Sequence, residues 1–197
     1  MEVKSRLTPH QLEVFEKITS KIKENLSSRV SNISLSDRFL SLTGAAGTGK
    51  SFLTSAIVDE IDNFMPVGQY EICVTAPTHK ALKVLSKMVG DYDIGVKSST
   101  IHSFLNMKQF YDYSTGAENF IVDRARDKIN RASLLIVDES SMVSNELFDF
   151  IFEIVKKGYV NTVLFIGDLY QLLPVNQSSL NNVFRLKNQF TLTKIVR

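Results

Sequence analysis

Phe39-Leu40-Ser41-Leu42-Thr43-Gly44-Ala45-Ala46-Gly47-Thr48-Gly49-Lys50-Ser51 decides the fold. Its first part reads as a buried strand that ends at Gly44. Its second part, Gly44 to Ser51, matches the pattern G-x-x-x-x-G-K-[ST]. Glycines there let the backbone wrap tightly, so that successive amide N–H groups point inward at phosphate oxygens. The helix that follows adds the positive end of its dipole. Gly44, Ala45, Ala46, Gly47, Thr48, Gly49, Lys50 and Ser51 are thus the expected phosphate cradle. In it Lys50 reaches the terminal phosphates and the Ser51 hydroxyl ligates magnesium. A glycine-rich turn beside an exposed lysine is the plain alternative, and the strand before and helix after it argue against that.

Working outward, hydrophobic periodicity alternates between the two element types. Leu12, Phe15, Ile18, Ile22 and Leu26 fall on one face of a helix that starts near Thr8. A serine-rich connection covers residues 27–38. After the loop, the spacing predicts a helix over 50–63, a strand over 70–75 and a helix over 78–89. Ser133 to Asp138 is the most apolar strand. It is followed by a helix with Ser144 as N-cap and Gly158 as its stop. Strands at 162–166 and 190–192 complete the set. Strands apolar throughout and separated by helices imply an α/β domain, with a parallel central sheet covered on both faces. Residues 107–122 break the rhythm and read as a small inserted hairpin, with its turn at Ser114-Thr115-Gly116.

A phosphate loop requires a carboxylate at the end of another buried strand. Leu134-Leu135-Ile136-Val137-Asp138-Glu139 supplies it. Asp138 is expected to hold magnesium and Glu139 to polarise the attacking water. Acidic residues also cap helices, but next to a complete phosphate loop the catalytic reading prevails. The residues alone therefore point to a nucleoside triphosphatase.

Composition narrows the class further. The 197 residues suit one domain, and 44% hydrophobic content suits one buried core. Lysine and arginine total 23 against 21 acidic residues, a net charge of +2, so any nucleic-acid contact is local rather than a broad basic face. The single cysteine, Cys73, excludes an internal disulfide and a cysteine-rich zinc site, and its apolar neighbours suggest burial. No apolar run is long enough to span a bilayer and the first residues lack a secretion signal. A cytoplasmic protein is expected.

The remaining motifs resemble, in order, those of superfamily-one DNA helicases, closest to the RecD and Dda branch, whose first RecA-like P-loop domain this chain is similar to. Leu7-Thr8-Pro9-His10-Gln11 looks like the adenine-recognition motif. Ala76-Pro77-Thr78-His79-Lys80-Ala81 and Ser99-Thr100-Ile101-His102-Ser103-Phe104 look like its DNA-contacting motifs. Asp138-Glu139-Ser140-Ser141-Met142 matches the acidic motif, and Gly167 to Val175 the motif that couples nucleotide to DNA. Leu192 to Arg197 looks like the opening of the fourth motif.

The resemblance implies ATP and magnesium as cofactors, single-stranded DNA as partner, and movement from 5′ toward 3′. It fits repair, recombination and replication alike. It implies that Gln11 reads adenine, that Gln171 senses the terminal phosphate, and that Arg197 neutralises charge in the transition state. Thr8 and Gln11 are also spaced as a capping box, and both roles are compatible. Arg197 ends the chain, where side chains are poorly tied down. Thr75, Pro77, Thr78, His79, Thr100, His102 and Ser103 are the implied strand contacts; Phe104 reads as core. The inserted hairpin sits where this branch carries its strand-separating pin, with Phe110, Tyr111 and Tyr113 as the wedge; a surface hairpin with its aromatics turned inward fits as well. The family's second RecA-like domain would begin after Arg197, so the chain is expected to be part of a longer protein. A P-loop switch or assembly ATPase without nucleic acid is the competing reading, and a non-catalytic single-strand binder a weaker one.

Overall fold

The computed structural model describes residues 4–28, 33–64, 71–83, 96–112, 117–122, 130–168 and 182–196, with the backbone alone at 109, 111, 112 and 117–122. Helix α1 spans Pro9–Ser27 and starts as its sequence dictates. Thr8 is the N-cap, its Oγ1 accepting from Gln11 N at 3.3 Å while Thr8 N donates to Gln11 Oε1 at 3.0 Å. Strand β1 (Phe39–Gly44) runs into the phosphate loop, and helix α2 (Lys50–Phe64) follows it. Then come β2 (Ile72–Ala76), a helical turn at 79–83, β3 (Val96–Thr100) and the short helix α3 (Ile101–Phe104). The hairpin β4 (Met107–Asp112) and β5 (Ala117–Val122) pairs antiparallel, Phe110 opposite Asn119. Its turn and Tyr113 lie outside the described residues. Strand β6 (Ala132–Val137), helix α4 (Asn145–Lys156), β7 (Val160–Gly167) and β8 (Asn188–Leu192) complete the chain.

Six strands form one sheet in the order β3-β2-β6-β7-β1-β8. Every pairing in it is parallel. Alternate side chains along each strand feed two cores. On one face Leu40, Leu42, Val74, Ile136 and Ile166 pack with Phe15, Ile18 and Ile22 of α1 and Leu53, Ile57 and Ile61 of α2. On the other, Phe39, Leu135, Val137 and Phe165 meet Leu147, Phe148, Ile151 and Val155 of α4. Cys73 and Phe104 join that second core, as expected, and burial pushes the Cys73 thiol up to about 11. Ser144 caps α4 by accepting from Leu147 N at 3.1 Å, and Gly158 ends it at φ +75°.

The parallel arrangement explains where chemistry collects. All six strands point the same way, so their carboxyl ends share one edge, where doubly wound sheets bind ligands. Strand β3 departs from the sequence reading, which foresaw no strand at 96–100. Val96-Lys97-Ser98-Ser99-Thr100 is polar because it is a sheet edge and none of its side chains is fully buried. Among the described residues no helix is long and apolar enough to cross a membrane.

Candidate functional site

The phosphate loop leaves the carboxyl end of β1 and is braced by its own atoms and by α1. Thr48, 1% exposed, donates through Oγ1 to Ala45 O at 2.8 Å. Gln11 Nε2 donates to Thr48 O at 3.1 Å. Lys50 Nζ donates to Gly44 O at 2.6 Å and Ala45 O at 3.0 Å, while Leu53 N meets Gly49 O at 2.9 Å and starts α2. Gly49 holds φ +83°, and a Cβ on it would collide with the Gln11 amide. Gly44 is required for space. A Cβ there would stand 2.7 Å from Thr48 Oγ1 and 2.9 Å from Leu192 O, a backbone atom that yields only if β8 moves. Gly44→Ala is therefore expected to destabilise the chain by about 1–3 kcal/mol, read as a lowered urea midpoint at unchanged slope.

Opposite the loop, Asp138 and Glu139 follow the end of β6, and Asp138 N is fixed by Thr75 O at 2.8 Å. Burial raises the Asp138 carboxyl above its usual range, opposed by the Glu139 amide, reinforced by the Glu139 carboxylate and opposed by the Lys50 charge. Burial likewise lowers Lys50, against the pull of Asp168 first and Asp138 second. Asp168, 5% exposed just after β7, also faces Lys50; it lies within the Gly167 to Val175 motif, but the sequence reading gave it no role of its own. Its signal was its place: β7 lies between β1 and β6, so the residue after Gly167 faces the loop from the middle of the sheet. Glu139 itself stands in the left-handed region, φ 49° and ψ 42°, at the turn into Ser140–Met142.

This donor set fits magnesium. The Asp138 carboxylate, its ionised form disfavoured by burial, gains from a nearby divalent cation. Among the described residues no group of three acidic, histidine or cysteine side chains could hold a metal by itself. Ser51, half-buried on the first turn of α2, and Asp138 are the residues to hold it.

Gln11 is 3% exposed and already engaged in four hydrogen bonds, three with Thr8 and one to the Thr48 carbonyl. The capping role is thus observed directly. Of the strand-contacting set, Pro77, Thr78 and His79 follow β2 at the surface, the latter two exposed, while Thr100 ends β3 and His102 and Ser103 follow it. Thr78 and Thr100 act as N-caps, accepting from Ala81 N and Ser103 N, each at 3.2 Å. His102 is half-buried and burial lowers its pKa. Thr75 is a correction. Its side chain is fully buried and Oγ1 donates to Ile136 O at 2.8 Å, because position 75 lies on the same face of β2 as Cys73, which the second core covers. It drops out of the contacting set. Phe110 is 52% exposed on β4, so its ring does not pack inward. The Tyr111 side chain, Gln171 and Arg197 lie outside the described residues.

Known proteins resemble this chain in sequence and in fold. The family model described as an AAA domain matches residues 27–197. Over 165 residues the chain is 32% identical to the ATP-dependent DNA helicase dda of Enterobacteria phage T4, covering 80% of this chain and 34% of that protein. It is 33% identical over 139 residues to the ATP-dependent RecD2 DNA helicase of Deinococcus radiodurans, covering 71% of this chain and 16% of the relative. In fold, it matches the Pif1 helicase from Candida albicans with a TM-score of 0.59 at 23% identity, over 96% of this chain and 40% of that one. The chain spans about a third or less of the length of these curated relatives. It belongs to the AAA-domain family and is similar in sequence to helicases of the RecD and Dda type.

Proposed function

We propose that this chain is the nucleotide-binding half of an ATP-driven motor on single-stranded DNA, acting with magnesium and with a second RecA-like domain of a longer polypeptide. One observation carries the reading. The exposed residues after β2 and β3, the acidic pair after β6, Asp168 after β7 and the phosphate loop after β1 share one sheet edge in that order. Neighbouring strands are about 4.8 Å apart, so the end of β2 and the loop are separated by roughly 15 Å. The backbone bond from Asp138 N to Thr75 O joins the catalytic strand to the strand that ends in the first DNA motif.

In this reading Lys50 exchanges the loop carbonyls for the terminal phosphates of ATP. Glu139 accepts the proton of the attacking water, while Asp168 and Asp138 hold the lysine in place. Bound at Ser51 and Asp138, magnesium supplies charge neutralisation on the phosphates. Gln171 senses the terminal phosphate and Arg197 neutralises transition-state charge, with Gln11 turning its amide to adenine. Pro77, Thr78, His79, Thr100, His102 and Ser103 bear on the DNA strand, and Phe110 and Tyr111 serve as the wedge of a separating pin. Movement runs 5′ to 3′ along the strand, as the resemblance implies.

The test is ATP turnover of the complete polypeptide, purified from its source, against single-stranded oligonucleotides of increasing length. Stimulation of at least about tenfold that saturates with length is expected, since each base stacked on the protein adds about 1–3 kcal/mol of binding. No stimulation at any length would favour the switch or assembly ATPase instead. A native mass well above 22.2 kDa is expected from the same preparation.

A further inference from the structure

The outer side of the phosphate loop is held by two neighbouring residues of α1, one directly and one through a relay. Gln11 Nε2 donates to Thr48 O. His10 Nε2 accepts from Thr193 N at 3.2 Å, and three residues further on Val196 N donates to Gly47 O at 2.9 Å. Between these bonds Ile195 Cγ2 comes within 3.6 Å of where a Gly47 side chain would begin. A trans peptide points its C=O and the next N–H in opposite directions. Holding Gly47 O and Thr48 O outward therefore turns the following amides inward: Gly49 N–H toward the loop interior where phosphate binds, and Thr48 N–H onto Ala45 O at 3.4 Å, a bond that phosphate would replace.

Little else fastens the 193–196 segment. Leu192 is 1% exposed, but Ile195 is 65% and Val196 41% exposed, so hydrogen bonds rather than burial set its place. We infer that His10 is a positioning residue for nucleotide binding: it seats residues 193–196 on the back of the phosphate loop and so preorganises the loop amides, while touching no substrate. The inference rests on the nucleotide reading of the loop.

The experiment displaces a fluorescent ADP from the 197-residue chain with ATP and, separately, with inorganic tripolyphosphate. Losing one hydrogen bond that preorganises the site weakens both competitors by about two- to tenfold in His10→Ala. The two factors should be equal, because the effect falls on the phosphate amides and not on the base. In turnover assays KM rises and kcat holds, the mark of lost uniform binding. His10→Gln, which keeps an acceptor at the end of its side chain, restores wild-type affinity. Alanine suits the first turn of α1 at least as well as histidine, so the melting temperature is not expected to fall. Amide exchange at Val196 should quicken in the alanine variant and not in the glutamine one. Wild-type affinity in His10→Ala, or equal weakness in both variants, would overturn the inference. A wild-type chain that fails to bind the labelled nucleotide would overturn the nucleotide reading and this inference with it.

Discussion

Lys50→Ala is expected to lower ATP turnover at least about 10²- to 10³-fold, the cost of removing one preorganised charge from a phosphoryl-transfer site. The ammonium is half-buried, lowered by desolvation and faced by Asp168 and Asp138. It makes two bonds to Gly44 O and Ala45 O. Alanine removes all of these together, so nucleotide affinity falls as well. Bonds to charged groups contribute about 1.5–3 kcal/mol, which makes that loss about tenfold or more. Steady-state turnover and nucleotide titration on the same sample check both parts. Turnover within a few-fold of wild type would remove Lys50, and with it the loop, from the chemistry.

Glu139→Gln is expected to separate binding from hydrolysis. A missing general base lowers kcat by about 10²- to 10⁴-fold. The amide keeps the carboxylate's shape, so nucleotide affinity should stay near wild type, and single-turnover experiments should trap bound ATP. Backbone geometry supplies an independent check. Glu139 sits at φ 49°, where a side chain costs about 1–3 kcal/mol and glycine is free of that strain. Allowing for the chain entropy of glycine, Glu139→Gly should gain up to about 1 kcal/mol in stability while losing turnover as Glu139→Gln does. A glycine variant that is both less stable and fully active contradicts the assignment.

How legible this was from sequence varied with what each residue had to signal. β1 and β6 were readable because central parallel strands are apolar on both faces, as Leu40 and Ile136 on one face and Phe39 and Leu135 on the other show. Caps at Thr8 and Ser144 were readable because a short polar side chain before a periodic run has few other uses. β3 was hidden, since an edge strand of serines and a lysine carries no hydrophobic pattern. Thr75 was misplaced because a motif gives residue order and not side-chain direction, which depends on the pleat. Asp168 was passed over because its meaning comes from sheet order, and sequence neighbours do not reveal that β7 lies between β1 and β6. The double duty of Gln11 was half visible. Its spacing from Thr8 gave the cap, but its hold on Thr48 joins residues 37 apart in the chain.

Sheet order also sets a timetable for biosynthesis. β1 is made early, yet its partners are β7 and β8, and Thr43 meets Thr191 across 148 residues of chain. At about 5–20 residues per second, a ribosome needs roughly 7–30 seconds to deliver that partner. Until β7 emerges Leu40 and Leu42 have no strand to pair with, and β1 stays an edge until β8 follows; α1 and α2 emerge earlier but cover only one face of β1, leaving Phe39 on the other. Such delayed, non-local pairing makes for slow folding and a nascent chain open to aggregation. Expression of this domain should therefore respond strongly to temperature and to chaperone supply, because an apolar early strand waits for partners that are translated late.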